Sequence, residues 1–115
     1  MSLLKELIAL LDALGIPVET GVFKAKAPDA YVVITPLSDT FDGYADNRPH
    51  REIQEARLSL FSKQNYRACV NRIVKALLDA DITVTDRRYL GYEEESEYHH
   101  FSVETAKNYE LEEEV

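Results

Sequence analysis

Two apolar stripes at helical spacing constrain the fold of this chain more than any other feature. Leu3, Leu4, Leu7, Ile8, Leu11 and Leu14 form the first; Tyr66, Cys69, Val70, Ile73, Val74, Leu77 and Leu78 form the second. Residues spaced i, i+3, i+4 share one helix face, so each stripe needs an apolar surface to lie on. The spacing predicts helices over 2–14 and 65–80. Ser2 can cap the first, and Gly15 followed by Pro17 ends it; Asn65, with Ser62 as an alternative, can cap the second. Leu10 falls off the first stripe, which points to a wide buried face or a subunit contact.

The surface that receives these stripes has to come from the strands. "VETGVF" reads as a short strand and "KAKAPDA" as a turn led by Pro28 and Asp29. "YVVITPL" is β-branched on both faces, as in a central strand, with Pro36 ending its regular pairing or marking an edge. "IQEARLSLFS" alternates, with Ala56, Leu58 and Leu60 on one face and Glu55, Arg57 and Ser59 on the other. "ITVTDRRYLGYEEESEYHHFSVETAKNY" reads as two strands around an acidic turn near Glu94 to Ser96. The order is α-β-β-β-α-β-β. It predicts an α+β fold, a four- to five-stranded mixed or antiparallel sheet packed by two amphipathic helices. Leu7, Leu11, Ile34, Leu58, Ile73 and Leu77 belong to its core. At 115 residues one domain is expected, over 1–109, followed by an acidic tail over 110–115.

Composition narrows the function classes. A formal charge of −8, with the acid surplus weighted to the part after Gly91, argues against ordinary phosphate-backbone binding. No apolar run approaches the roughly 20 residues that span a bilayer. The start carries acidic residues inside its apolar stretch and no small-residue cleavage site, against a signal peptide. The single cysteine, Cys69, suits a reducing compartment and reads as core filling on a helix.

Catalytic and metal chemistry finds little footing. Four glycines, at 15, 21, 43 and 91, cannot make a Gly-rich phosphate loop, and no C-x-x-C or H-x-x-x-H spacing exists. His99 and His100 are adjacent in a strand, so they face opposite ways and cannot share one ion without a bulge. Ser38, His50 and Asp46 make a triad only on paper, lacking a glycine-flanked nucleophile. Asp39, Asp42 and Asp46 are spaced three and then four apart, unlike the alternate ligands of a calcium loop. The expectation is no enzyme, no cofactor and no metal.

The polar segment Asp39 to Arg51 is better read as a contact loop. Phe41 and Tyr44 are interleaved with its acids, and exposed aromatics on a polar loop favour a protein–protein interface. Its residues are Asp39, Phe41, Asp42, Tyr44, Asp46, Asn47, Arg48, His50 and Arg51. Residues 39–50 are expected to be mobile or extended in the isolated subunit and ordered only against a partner.

The order of "AYVVITPLSDT", "FDGYADNRPHREIQEARLSLFSKQNY", "RACVNRIVKALLDADITV" and "DRRYLGYEEESEYHHFSVE" resembles the small tail-terminator or tail-completion proteins of long-tailed bacteriophages and prophages. The resemblance covers nearly the whole chain, through "YADN" ahead of "REIQEARLSLFSKQNY" and a closing "YEEESEYHH" hairpin. It implies a mixed α/β fold that assembles as a homo-hexameric ring on the head-proximal end of the tail tube. Such a ring stops tube polymerisation and meets the head connector. It implies subunit contacts through the loop Asp39 to His50 and the exposed strand edges. It also implies contacts with the tail tube protein and the connector, location in the virion tail or in host cytoplasm during assembly, and no catalytic residues. A subunit that is monomeric until it meets the tube is compatible with this. A neighbouring head–tail joining role has the same features. A small acidic adaptor domain unrelated to phage assembly is the alternative.

Overall fold

The computed structural model describes residues 2–19, 28–43 and 48–111. Helix α1 (Leu3–Ala13) starts where Ser2 leaves extended backbone and its Oγ accepts the Lys5 N–H. Its inward face is Leu3, Leu7 and Leu11, and Leu10 packs partly against the same core, so the buried face is wide. The helix ends at Gly15, which takes the left-handed backbone (φ +75°) that a side chain disfavours. The Ile16 N–H then returns to the Leu11 carbonyl at 3.0 Å.

Strand β1 (Val18–Glu19) lies parallel to β2 (Ala30–Asp42), pairing Val18 with Val32. Strand β3 (Arg51–Ser62) runs back antiparallel. Asn65 caps α2 (Tyr66–Asp79) by accepting the Ala68 N–H at 3.2 Å, and Val70, Ile73 and Leu77 point inward. Strands β4 (Thr83–Glu93) and β5 (Tyr98–Glu110) close the chain as a hairpin around the acidic turn. Glu97 sits there at φ +63° and its N–H reaches the Glu93 carbonyl.

The sheet order is β1-β2-β3-β5-β4, all antiparallel except β1 with β2. This is the expected α+β fold: one five-stranded mixed sheet with two helices. Both helices lie on one face. Their apolar stripes meet Val32, Ile34, Leu58, Leu60 and Val103, and all six core residues named from sequence are buried in this cluster. The interleaved residues Glu55, Arg57, Ser59 and Glu104 belong to the other face, which no described element covers.

The polar segment and the acidic tail each need a correction. Strand β2 continues past Pro36 to Asp42, and β3 already begins at Arg51. Asp39, Phe41, Asp42 and Arg51 are therefore not loop residues. Asp39 pairs with Gln54, Phe41 with Glu52 and Asp42 with Arg51, so a single chain orders them without a neighbour. A bulge at Leu37, just after Pro36, absorbs the irregularity, and the pairing resumes at Ser38. The strand wins over turn-like composition because β3 is itself held by β5 out to Arg51–Glu110. At the other end β5 includes Glu110, and the Leu111 N–H donates to the His50 carbonyl at 3.0 Å. Regular structure thus enters the segment read as an acidic tail; residues 112–115 lie outside the described residues, as do Tyr44, Asp46 and Asn47.

Candidate functional site

The features able to hold a partner lie on the two outer edges of the sheet. One is the far half of β2. Beyond Val33, β2 has only β3 as a strand neighbour among the described residues. Antiparallel partners share a face, so Asp39 and Phe41 lie on the helix side with Gln54 and Glu52. Gln54 marks that side, because its Oε1 accepts the Leu3 N–H at 2.7 Å from the start of α1. Phe41 is 51% exposed and Leu37, at the bulge, 41%.

At the tip, Arg51 reaches Asp42 at 3.4 Å with both side chains half-exposed, a pair that orients more than it stabilises. Gly43 turns the chain at φ +67°, a backbone that side chains disfavour. The Arg51 guanidinium beside it is half-exposed and can give way to a Cβ, so it is the turn that calls for glycine. The His50 N–H donates to the carbonyls of Asp42 and Gly43, each at 3.2 Å. Arg48 and His50 are exposed. The Ser38 hydroxyl donates to Glu55 Oε2 at 2.5 Å, so the serine of the paper triad is engaged elsewhere. Asp39 and Asp42 occupy opposite faces of β2, which separates two of the three carboxylates considered for calcium.

The second edge is β4, and sequence reasoning did not single it out. Tyr89, Leu90 and Tyr92 are 44%, 50% and 49% exposed. On the helix side Tyr66, Tyr89, Tyr92 and His99 gather, with ring centroids 4.9 Å apart for Tyr66–His99 and 4.8 Å for Tyr92–His99. Tyr89 Oη lies 3.0 Å from His99 Nδ1. The available signal was the recurrence of Tyr in "YLGY" on a strand bulged at Leu90. His100 leaves on the other face and stacks on Phe61 at 4.2 Å, so the two adjacent histidines do face opposite ways.

The uncovered sheet face carries an open depression of about 250 Å³ lined by Arg57, Ser59, Asp86, Arg88, His100 and Glu104, among others. Its charges are largely matched: Arg57 reaches Glu104 at 3.3 Å and Arg88 reaches Asp86 at 3.6 Å. Burial pushes the His100 imidazole pKa down, and it titrates below its ordinary range. Burial also raises the Cys69 thiol, away from thiolate reactivity. Among the described residues, no three His, Cys, Asp or Glu side chains converge as metal ligands, and no helix is long and apolar enough to cross a membrane. No protein-family model matches the chain, and no curated protein matches it.

Proposed function

We propose that this protein is a structural component of phage or prophage tail assembly, a terminator that forms a ring on the head-proximal end of the tail tube. In this role it stops tube growth and joins the tail to the head connector. The observation that carries the reading is a sheet with two unlike edges. One is an acidic arm bearing Phe41; the other is the β4 edge bearing Tyr89 and Tyr92. Unlike surfaces on opposite sides of one subunit suit head-to-tail contact, and head-to-tail contacts close into rings when the rotation allows. The order of sequence segments supports the same role. So does the net charge of −8, since a ring that passes DNA works best if it does not hold it. The tail tube protein and the head connector are its proposed partners, and the tail end nearest the head its place.

Deleting the gene from the phage or prophage that carries it is the test. Electron microscopy is expected to find tubes of uncontrolled length without attached heads, and purified protein added before polymerisation should restore the length. Tails of normal length with heads attached would overturn the reading. Exposed aromatics on an acidic domain also suit an adaptor; that alternative is selected if the protein stays monomeric or dimeric and its loss leaves tails unchanged.

A further inference from the structure

We infer that the regular stretch of the β2 arm in one copy docks along the regular stretch of β4 in a second copy of this chain, with Asp39 meeting Arg87. This deepens the ring reading and rests on it only for closure of the assembly. Both edges are interrupted by bulges, at Leu37 on β2 and at Thr85 and Leu90 on β4. Bulges disrupt pairing, so the longest regular edge stretches without an outer strand neighbour among the described residues are Ser38–Asp42 and Asp86–Tyr89.

The charges on these stretches are opposite once intrachain pairs are set aside. Asp42 is taken by Arg51, and Arg88 by Asp86. Asp39 and Arg87 are both exposed, and neither has an ion-pair partner among the described residues. Both also lie on the helix side. Asp39 is opposite Gln54, while Arg87 is opposite Val103, whose side chain is buried under the helices. Like edges repel: arm against arm sets Asp39 against Asp39, and β4 against β4 sets Arg87 against Arg87. For the two charges left without an intrachain partner on these stretches, only the head-to-tail combination joins opposite signs, which makes the contact directional.

The register confines the contact to these stretches. With Asp39 opposite Arg87, Glu93 comes level with Val33, whose outer edge is already paired with Glu19 of β1. The end of β4 therefore has to leave the shared sheet there. Across one protomer Arg87 is level with Val103, Leu58 and Ile34. Bringing Asp39 of the neighbour to Arg87 shifts successive copies by the distance from Ile34 to Asp39 along the strand.

Two charge reversals test the contact. Asp39→Arg carries positive charge on both edges, and Arg87→Asp carries negative charge on both. By sedimentation velocity, each variant alone should need at least about tenfold higher concentration than the unaltered protein to assemble, a loss of about 1.4 kcal/mol. An equimolar mixture should recover assembly, because the two variants can alternate around an even-numbered ring. Unchanged thermal midpoints for both variants establish that they fold. Variants that assemble like the unaltered protein, folded variants whose mixture does not recover, or an unaltered protein monomeric at millimolar concentration would each overturn the inference. Recovery in the mixture, with tails unaffected by gene deletion, would retain the edge contact and remove the tail role. Length control by a protein indifferent to both reversals would do the opposite.

Discussion

At the scale of single residues, the fold rests on a few side chains with no exposure at all. Leu77 is fully buried on the inward face of α2, within the cluster that includes Leu7, Leu11 and Ile34. Truncation there loses the transfer energy of the removed methyl groups and leaves a cavity that the surrounding core only partly fills. Leu77→Ala is expected to cost about 2–5 kcal/mol in denaturant titration. A loss below about 0.5 kcal/mol would show that this face of α2 is not packed as described. Leu78, its neighbour, is 57% exposed and does not contribute in this way, although the helical stripe includes it. Phe41 is the contrasting case: half-exposed on the arm, it has contact area to offer a partner and little to lose from the monomer core.

Between elements, the most telling contact ties α1 to the last strand. Lys107 Nζ reaches Glu6 Oε1 at 2.8 Å, and the Tyr109 hydroxyl donates to the other oxygen of the same carboxylate. Burial pushes the Glu6 pKa up, but the hydrogen bonds from Lys107 and Tyr109 and the lysine charge outweigh it, so the carboxyl is held below 4.5. The Tyr109 phenol moves the other way, raised above its ordinary range by burial and by the Glu6 charge. A carboxyl with a depressed folded pKa adds stability above its unfolded value. That stability is lost as pH falls below 4.5 through the folded value. Glu6→Gln should therefore lower the thermal midpoint at pH about 7, and the gap from the unaltered protein should shrink towards pH about 3. A gap that stays constant over that range would show that the ion pair is not its source.

For the whole molecule, the governing features are a sheet with both helices on one face, the other covered by no described helix or strand, and a net charge of −8. Neutralising phosphates takes lysines and arginines in excess, and the Arg57 and Arg88 side chains on the uncovered face are already matched by Glu104 and Asp86. Duplex DNA is expected to show no mobility shift with the protein at about 0.15 M salt. A salt-sensitive shift would contradict the view that this surface repels nucleic acid. On the regular stretches Ser38–Asp42 and Asp86–Tyr89, the same accounting leaves Asp39 and Arg87 as the charges without an ion-pair partner among the described residues.

How much of this was legible from sequence depends on how far each interaction reaches along the chain. Helix bonds connect residues four apart, so the stripes, the Ser2 and Asn65 caps and the Gly15 stop placed α1 and α2 within a residue of where they lie. Strand alternation also put Leu58 and Leu60 inward and Arg57 outward, and sent His99 and His100 to opposite faces. The arm was different. "SDTFD" has the local chemistry of a turn, and only its distant partners make it strand: Gln54, Glu52 and Arg51 beside it, and Glu110 beyond them. The same holds for the clustering of Tyr66 with Tyr89 and His99, and for the Glu6 contact with Lys107, a separation of 101 residues. Sheet hydrogen bonds join segments whose register no local window encodes, and so the extent of β2, the two edges that no described strand covers and the charges on them were decided only by the tertiary structure.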